Sequence, residues 1–293
     1  MKNLTIGSRG SLLAIWQAKH IKQKLEQSNP NLICEIKIIN TKGDLVLNKS
    51  LGEIGGKGLF TKELENALLE NEIDIAVHSL KDLQTEMPEG LILACVPSRG
   101  RTEDVLIAKP GITLNNLING AKIATGSVRR KSQLLAIRPD FNIVDVRGNV
   151  PTRIQKYKDN NWDGMILALA GLERLGITEN IGEVIPVDVM IPAVAQGALG
   201  IQSLENNIEV IDLLKSIEDE NTRLCVDCER EFLRTLGGGC HTPVAANAII
   251  LNDEIIVNGY SANEDGSNSR KGFLIGNKIQ NVYLGKKLAL SLS

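Results

Sequence analysis

The sequence predicts an α/β protein with two doubly wound lobes, followed by a small α+β domain at its C-terminal end. Short apolar, β-branched runs alternate with amphipathic helical segments through about residue 215, which is typical of α/β lobes. Beyond about residue 216 the pattern changes to one helix followed by three strand-like runs. The predicted domains are residues 1–97 with 193–215, residues 101–190, and residues 217–293.

The first lobe contains the most informative run of the chain, a predicted buried strand that ends in a polar cluster. Its predicted elements are a strand at 4–6, a helix at 14–25, a strand at 33–39, a helix at 64–68, a strand at 73–77 and a strand at 91–96. The strand at 73–77 is apolar and β-branched, as in a parallel sheet. It leads directly into His78, Ser79, Lys81 and Asp82. Ligands of open α/β sheets bind beyond the carboxyl ends of strands, so this cluster is a candidate site.

The same kinds of sequence pattern predict the strands and helices of the second lobe and of the C-terminal domain. Predicted strands of the second lobe lie at 105–108, 122–124, 143–146 and 165–168, and its helices at 129–137, 150–157 and 172–175. Residues 193–214 are predicted to be helical and to return to the first lobe, which gives two crossings and a hinge. In the third domain a helix at 223–236 ends at three glycines, and strands are predicted at 244–250, 254–260 and 272–275.

Composition excludes several classes of function. The 293 residues carry a formal net charge of −2, which disfavours binding to nucleic acid through bulk charge. Aromatic residues make up only 3%, too few for the stacking surfaces of single-strand binders. We expect no secretory leader and no membrane span. We also expect no disulfide framework, because the cysteine count of five is odd. The expectation is a cytoplasmic protein with reduced thiols.

Basic and hydroxyl side chains recur where predicted strands lead into helices. They are Arg9, Ser11, Lys57, Thr125, Ser127, Arg129, Arg130, Arg147 and Arg153. Taken singly, each arginine is compatible with an ordinary solvated surface. Cations are unfavourable at helix N-termini unless an anion joins them, so the repeated placement favours a site for a polyanionic ligand. Nucleotide binding is weakly supported, because the segment Gly55-Gly-Lys-Gly58 lacks the first glycine and the Ser/Thr of a P-loop.

Two residues have both a structural and a chemical interpretation. Asp82 is either an ion-pair partner of nearby basic groups or a carboxylate that stabilises a cationic intermediate and transfers protons. Cys240 follows three glycines, and is either a small thiol in a helix-capping loop or an accessible thiol that carries a covalent group. The spacing of Cys225, Cys228 and Cys240 also resembles a zinc site. We expect no metal, because the first two cysteines share an apolar helical face.

The combination of segments resembles the hydroxymethylbilane synthase family, also called porphobilinogen deaminases, from Ile6 to about Leu290. The matching segments are Gly7-Ser-Arg-Gly-Ser-Leu-Leu-Ala-Ile-Trp-Gln17, Thr41-Lys-Gly-Asp44, Gly55-Gly-Lys-Gly-Leu-Phe60, Asp74-Ile-Ala-Val-His-Ser-Leu-Lys-Asp82, Ser127-Val-Arg-Arg130, Arg147-Gly-Asn-Val150, Ala168-Leu-Ala-Gly-Leu-Glu-Arg-Leu-Gly176, Pro192-Ala-Val-Ala-Gln-Gly197 and Gly238-Gly-Cys240. So many ordered matches over the whole length make the resemblance specific.

The resemblance implies a fold, a reaction and a cofactor. The two α/β lobes are expected to be similar to periplasmic binding proteins. A dipyrromethane cofactor is expected on Cys240 through a thioether. Four porphobilinogen units are added to it head to tail, each releasing ammonia, and water frees the linear tetrapyrrole. A cytoplasmic monomer is expected, with no nucleic-acid or membrane partner.

The resemblance also implies site residues in this sequence. Asp82 is expected to be the catalytic carboxylate, and Phe60 to pack near the reacting rings. The expected cofactor- and substrate-binding residues are Arg9, Ser11, Lys57, Phe60, Ser79, Lys81, Thr125, Ser127, Arg129, Arg130, Arg147, Arg153 and Gln196. The basic members of this set would bind the acetate and propionate groups of the pyrroles.

Some positions depart from the family pattern, and other functions stay open at this point. Gly126 stands where a serine is usual and Ala195 where a glycine is usual at the hinge, and further departures are Glu53, Gln84 and Glu103. The alternative function is a non-catalytic organic-anion binding protein with the same two lobes. A zinc-stabilised interaction module is the third. Only the synthase predicts a covalent adduct on one thiol.

Overall fold

A computed structural model describes residues 3–41, 61–238 and 242–293. The chain forms two compact units, Met1–Gly100 with Ala198–Arg223, and Arg101–Gly197 with Leu224–Ser293. It therefore passes from one unit to the other after Gly100, Gly197 and Arg223. The predicted third domain belongs to the second unit in this division, and its separate boundaries stay a prediction. No helix within the described ranges is long and apolar enough to span a lipid bilayer.

The described part of the chain contains thirteen strands and eight α-helices. The strands are β1 (Asn3–Ser8), β2 (Ile33–Ile38), β3 (Ile75–Ser79), β4 (Leu91–Cys95), β5 (Asp104–Ile107), β6 (Lys122–Ala124), β7 (Asn142–Val144), β8 (Gly164–Ala168), β9 (Ile181–Ile185), β10 (Leu199–Leu204), β11 (Val244–Leu251), β12 (Glu254–Ser261) and β13 (Arg270–Asn277). The helices are α1 (Leu12–Ser28), α2 (Lys62–Leu69), α3 (Val128–Ile137), α4 (Val150–Asp159), α5 (Leu169–Arg174), α6 (Ile208–Leu214), α7 (Glu220–Thr235) and α8 (Asn281–Leu292).

The first unit is built on a five-stranded mixed sheet in the order β2-β1-β3-β10-β4. β1 is parallel to β2 and β3, whereas β10 is antiparallel to β3 and β4. Helices cover both faces, because Ile75 and Val77 face a core shared with α1 and α6 while Ala76 faces α2. The prediction of a doubly wound α/β lobe is confirmed, although β3 has one antiparallel neighbour.

The prediction of helical material over residues 193–214 is wrong for its central part. Residues 199–204 form β10, which lies between β3 and β4 in the sheet. The run is apolar without a clear period of two, and such short runs do not distinguish a strand from a buried helix. The period is hidden because Gln202 and Ser203 are both fully buried, although they are polar.

The second unit contains another five-stranded sheet, in the order β7-β6-β8-β5-β9. β6 is parallel to β7 and β8, and β5 is antiparallel to β8 and β9. Leu106 and Ala108 pack into one core, and Val105 and Ile107 into the core on the opposite face. This second lobe is therefore also α/β and covered on both faces, as predicted. The edge strand β9 was not anticipated.

A three-stranded antiparallel sheet, β11-β12-β13, completes the second unit. One face of this sheet packs on α7 and α8: a Cβ added at Gly259 would lie 2.7 Å from the Phe232 ring and 2.9 Å from Leu288. The helices themselves approach closely, since a Cβ at Gly285 would overlap the Cys228 carbonyl oxygen. The predicted α+β character of the C-terminal region is confirmed.

Candidate active site

In the first unit, two neighbouring parallel strands end at the same edge of the sheet with predicted site residues. β1 ends at Ser8 and is followed by Arg9, and β3 ends at Ser79 and is followed by a 3₁₀ turn, Leu80–Asp82. The two strands are in register, with Gly7 opposite Ala76. Arg9 and Asp82 therefore extend from one edge of one sheet, where ligands of such sheets bind.

This edge is organised by Gln17 of α1. Its side-chain Nε2 donates a hydrogen bond of 2.7 Å to Ser79 Oγ, which joins the first turns of α1 to the end of β3. Gln17 is buried, Lys81 is half-buried and Asp82 is exposed. A carboxylate in this position is held by a short turn but is open to a ligand.

In the second unit, a buried ion-pair cluster forms around Asp104. Arg130 Nη2 lies 2.7 Å from Asp104 Oδ1, and Arg129 Nη2 lies 2.8 Å from Oδ2. Gln196 Nε2 donates to Oδ1 at 2.9 Å and to the Thr102 carbonyl oxygen at 2.7 Å. Asp104 and Gln196 are fully buried, and each arginine is only 5% exposed. The structure thus brings together three predicted site residues around a carboxylate that was not predicted.

The charges of this cluster do not cancel. Burial alone raises the pKa of Asp104, but the charges of Arg129 and Arg130 outweigh it and hold the pKa well below the usual range of a carboxyl group. Burial lowers the pKa of Arg129, yet a guanidinium remains protonated at neutral pH. Two guanidiniums and one carboxylate leave one positive charge in excess. A buried excess charge is unfavourable unless an anion approaches it.

A second basic group surrounds Gly148 at the start of α4. Arg153 Nε donates to the Gly148 carbonyl oxygen at 2.7 Å, and Lys156 Nζ donates to the Arg147 carbonyl oxygen at 3.1 Å. Arg147 Nε is 3.2 Å from Asp145 Oδ2, and its side chain is 27% exposed. Three basic side chains therefore lie at the junction between β7 and α4. Of these, Lys156 was missed in the sequence.

The predicted hydroxyl groups share one feature: each accepts a hydrogen bond from an N–H group. The acceptors are Ser11 Oγ from the Ala14 amide, Ser79 Oγ from Gln17 Nε2, Thr125 Oγ1 from the Ser127 amide and Ser127 Oγ from the Arg130 amide. Ser11 and Ser127 are the N-caps of α1 and α3. A hydroxyl that accepts in this way still has its own proton to donate, and a carboxylate is a suitable acceptor.

Three predicted site residues, Lys57, Phe60 and Cys240, lie outside the described residues. The helix that precedes Cys240 ends in a Schellman motif. The Gly238 amide donates to the Leu233 carbonyl oxygen and the Gly237 amide to that of Arg234, with Gly237 at φ +63°. The predicted stop of α7 at its glycines is therefore confirmed.

The sequence matches two family models, one for each part of the chain. Residues 4–212 match the porphobilinogen deaminase dipyrromethane cofactor binding domain, and residues 223–293 match the porphobilinogen deaminase C-terminal domain. The chain belongs to the porphobilinogen deaminase family. The resemblance inferred from the ordered motifs is confirmed.

Curated porphobilinogen deaminases match over nearly the whole chain. The protein of Chloroherpeton thalassium is 44% identical over 292 residues, which are 100% of this chain and 93% of that protein. The protein of Syntrophomonas wolfei is 45% identical, with 100% and 95% covered, and that of a Nitratiruptor species is 48% identical, with 99% and 93% covered. Because these relatives are porphobilinogen deaminases, the alternative of a non-catalytic anion-binding protein is not favoured.

Solved structures add a weaker likeness. The methionine binding protein MetQ gives a TM-score of 0.47 at 12% identity, over 76% of this chain and 92% of that chain. The VFT2 domain of Bordetella pertussis BvgS gives a TM-score of 0.45 at 13% identity, over 74% and 86%. The family membership rests on the sequence matches.

Two cysteines of the predicted zinc spacing, Cys225 and Cys228, lie within the described residues of this porphobilinogen deaminase family member, whereas Cys240 does not. Cys225 and Cys228 are buried on α7, and burial raises the pKa of Cys228. No group of three His, Cys, Asp or Glu residues within the described ranges could hold a metal. The two thiols behave as core residues of the helix, as their spacing predicted.

One departure from the family pattern has a steric explanation. A Cβ added at Gly126 would lie 2.6 Å from the Val146 carbonyl oxygen and 3.0 Å from Asp145 Oδ1. A serine at this position would displace the chain after β7. The glycine is therefore matched to the local packing of this chain.

Proposed function

We propose that this protein is a transferase that joins four porphobilinogen units head to tail onto a dipyrromethane primer, releasing ammonia and hydroxymethylbilane. The observation that carries the proposal is the match to both porphobilinogen deaminase domains over residues 4–212 and 223–293. The bound dipyrromethane supplies the pyrrole to which the first substrate unit is joined. The residues of this chain bind, orient and exchange protons with the substrates.

The basic and hydroxyl groups fit a polycarboxylate. Each pyrrole carries an acetate and a propionate, so a growing chain needs many cationic partners. The excess charge of the Asp104, Arg129 and Arg130 cluster and the basic group around Gly148 would supply part of this charge. Further carboxylate-binding residues in the proposal are Arg9, Ser11, Lys57, Ser79, Lys81, Thr125 and Ser127. The hydroxyls support it because each already accepts from an N–H group and retains a proton to donate.

Asp82 is the proposed catalytic carboxylate. Its exposure at the end of β3 lets it accept a hydrogen bond from a pyrrole N–H of the substrate. In this role it would protonate the leaving amine, stabilise the cation left when ammonia departs, and accept the α-proton of the attacking ring. Phe60 would pack near the reacting rings, and Gln196 would hold the Asp104 cluster.

Attachment of the primer to Cys240 through a thioether completes the proposal.

We also propose that the protein works as a monomer in the cytoplasm. Cys34, Cys95 and Cys228 are buried free thiols, which suits a reducing compartment. Size-exclusion chromatography with light scattering measures the monomeric state, and a dimer mass would contradict it.

The intact mass of the purified protein tests the cofactor. We expect an added mass of two linked pyrrole units, located on Cys240 by peptide mapping. Cys240→Ser should carry no adduct, while Cys34→Ser is the matched control and should retain it. An unmodified Cys240 in protein from a porphobilinogen-producing host would contradict the proposal.

The Asp82→Asn variant tests the catalytic role. Asparagine keeps the size of the side chain but loses its charge and its ability to take a proton. We expect kcat to fall by about 10²- to 10⁴-fold, the usual contribution of an acid–base group. Asp212→Asn, at an exposed position of α6 in the same unit, is the matched control and should keep the wild-type kcat. A kcat of Asp82→Asn within a few-fold of wild type would remove Asp82 from the mechanism.

A further inference from the structure

Glu229 is fully buried, and its carboxylate accepts hydrogen bonds from backbone amides of two distant segments. Its Oε2 accepts a 2.6 Å hydrogen bond from the Ala195 amide, and its Oε1 accepts one of 2.7 Å from the Ala248 amide. Glu229 lies on α7, Ala195 precedes β10, and Ala248 lies in β11. The two oxygens of one side chain therefore join three parts of the second unit.

The residue held by Oε2 has an unusual backbone. Ala195 has φ +58° and is 1% exposed. The left-handed region is unfavourable for a residue with a Cβ, so surrounding contacts must offset its cost. The charged hydrogen bond from the Ala195 amide to Glu229 is such a contact.

The neighbouring residue transmits this geometry to the arginine cluster. Gln196 is fully buried and directly follows Ala195. Its Nε2 donates hydrogen bonds to the Thr102 carbonyl oxygen and to Asp104 Oδ1. Asp104 Oδ1 also accepts a 2.7 Å hydrogen bond from Arg130 Nη2. A change in the backbone at Ala195 would move Gln196 and alter how Asp104 divides its interactions between the arginines.

We propose that Glu229 is a positioning residue for carboxylate binding, acting through Ala195, Gln196 and Asp104 on Arg129 and Arg130. The proposal rests on the proposed function in one respect, that the two arginines serve the carboxylates of the pyrrole chain. Glu229 touches no substrate in this role. It fixes the left-handed backbone that places the Gln196 amide.

A double-mutant cycle with Glu229→Gln and Ala195→Gly tests the proposal. Glutamine keeps the size of the side chain, but one of its two terminal groups can no longer accept from an amide. We expect Glu229→Gln to raise KM for porphobilinogen by about tenfold or more, as displaced binding groups do, with a smaller change in kcat. The fraction of protein carrying the dipyrromethane adduct, read from the intact mass, should fall in parallel.

The Ala195→Gly background separates positioning from general stability. Glycine adopts a positive φ without a steric cost, so it no longer needs the carboxylate to hold that conformation. In this background Glu229→Gln should raise KM by no more than a few-fold, and the adduct-carrying fraction should recover. The effect of Glu229→Gln on the Ala248 contact is the same with Ala195 and with Ala195→Gly. If Glu229 had a purely structural role, Ala195→Gly would therefore not restore KM or the adduct-carrying fraction.

Glu231→Gln is the matched control on the same helix. Glu231 pairs with Arg234 near the helix end, and its variant should keep the wild-type KM and adduct fraction. An unchanged KM in Glu229→Gln, or an equal effect in both backgrounds, overturns the proposal. If Glu229→Gln alone yields no folded protein, a folded and loaded double variant supports the proposal and an unfolded one overturns it. Wild-type protein with no adduct would instead overturn the proposed function.

Discussion

His78 in β3 is a polar residue buried inside the first sheet, with 5% of its surface exposed. Its Nε2 lies 3.1 Å from Gln202 Oε1, which can only accept, so this nitrogen carries the proton. Burial lowers the pKa of His78 to about 4, the Gln202 bond opposes this shift, and the charge of Arg9 adds to it. The ring is therefore neutral at physiological pH.

This buried imidazole should make folding stability depend on pH. The pKa is about 6.5 in the unfolded chain and about 4 in the folded protein, so the unfolded state binds more protons between these values. The contribution of His78 to the free energy of unfolding is fully present above pH 6.5. It falls by about 3 kcal/mol as the pH drops toward 4. Urea unfolding at several pH values measures this loss.

The variant His78→Gln isolates the contribution of the imidazole. Glutamine can still bond Gln202 but does not titrate, so the loss between pH 7 and pH 4 should be about 3 kcal/mol smaller than in wild type. His20→Gln, which removes a half-buried imidazole from α1, is the matched control. Equal pH dependence of wild type and His78→Gln would contradict the prediction.

Sequence reasoning located the candidate residues better than their partners. The carboxylate of Asp82 follows a buried strand, as predicted, because an apolar run that meets a polar cluster is a local signal. The pairing of Arg129 and Arg130 with Asp104 is not local, since Arg130 and Asp104 are 26 residues apart and meet only in the folded unit. Nothing in the surrounding residues distinguishes Asp104 from the neighbouring Glu103.

At the scale of elements, helix ends were more predictable than buried strands. Glycines stop α7 because Gly237 supplies the left-handed residue of a Schellman motif. β10 was missed because its hydrophobic period is interrupted by Gln202, whose burial depends on His78 and on Glu65 of α2. A buried polar residue with distant partners cannot be recognised from its own segment.

The end of α7 yields a prediction about stability and cofactor loading. Gly237 has φ +63°, and a Cβ there would meet no atom within 4 Å, so Gly237→Ala changes only the backbone cost. We expect a loss of about 1 kcal/mol in the free energy of unfolding. Because Cys240 lies three residues further on, we also expect a smaller fraction of protein with the adduct.

A second Schellman motif provides the matched control for this prediction. Gly176 ends α5 with φ +66°, again with open space for a Cβ, and the Ile177 amide bonds the Leu172 carbonyl oxygen. Gly176→Ala should lose similar stability and keep full cofactor loading. If both variants load the cofactor equally well, the end of α7 has no special role in placing Cys240.

At the scale of the whole molecule, positive charge is local while the total charge is slightly negative. The chain carries 33 basic and 35 acidic residues, yet basic side chains follow β1, β6 and β7. Local attraction of an anionic substrate is weakened by salt, since the screening length is about 10 Å at 0.1 M. We expect the basic side chains at the site, and not the net charge of the chain, to determine how strongly salt weakens substrate binding.

Steady-state kinetics at different salt concentrations tests this arrangement. Between about 0.05 and 0.5 M NaCl, we expect KM for porphobilinogen to rise several-fold while kcat changes little. A neutral osmolyte at matched osmolality should leave KM unchanged. A KM that does not respond to salt would show that ionic contacts contribute little to substrate capture.

The central position of β10 has a consequence for the time at which the first sheet can form during synthesis. β4 pairs only with β10 among the described strands, and β10 begins more than 100 residues later in the chain. At about 5–20 residues per second, the ribosome needs on the order of ten seconds to supply it. During that interval the nascent chain has unpaired edges on β3 and β4, which is when chaperone binding or misassociation would occur.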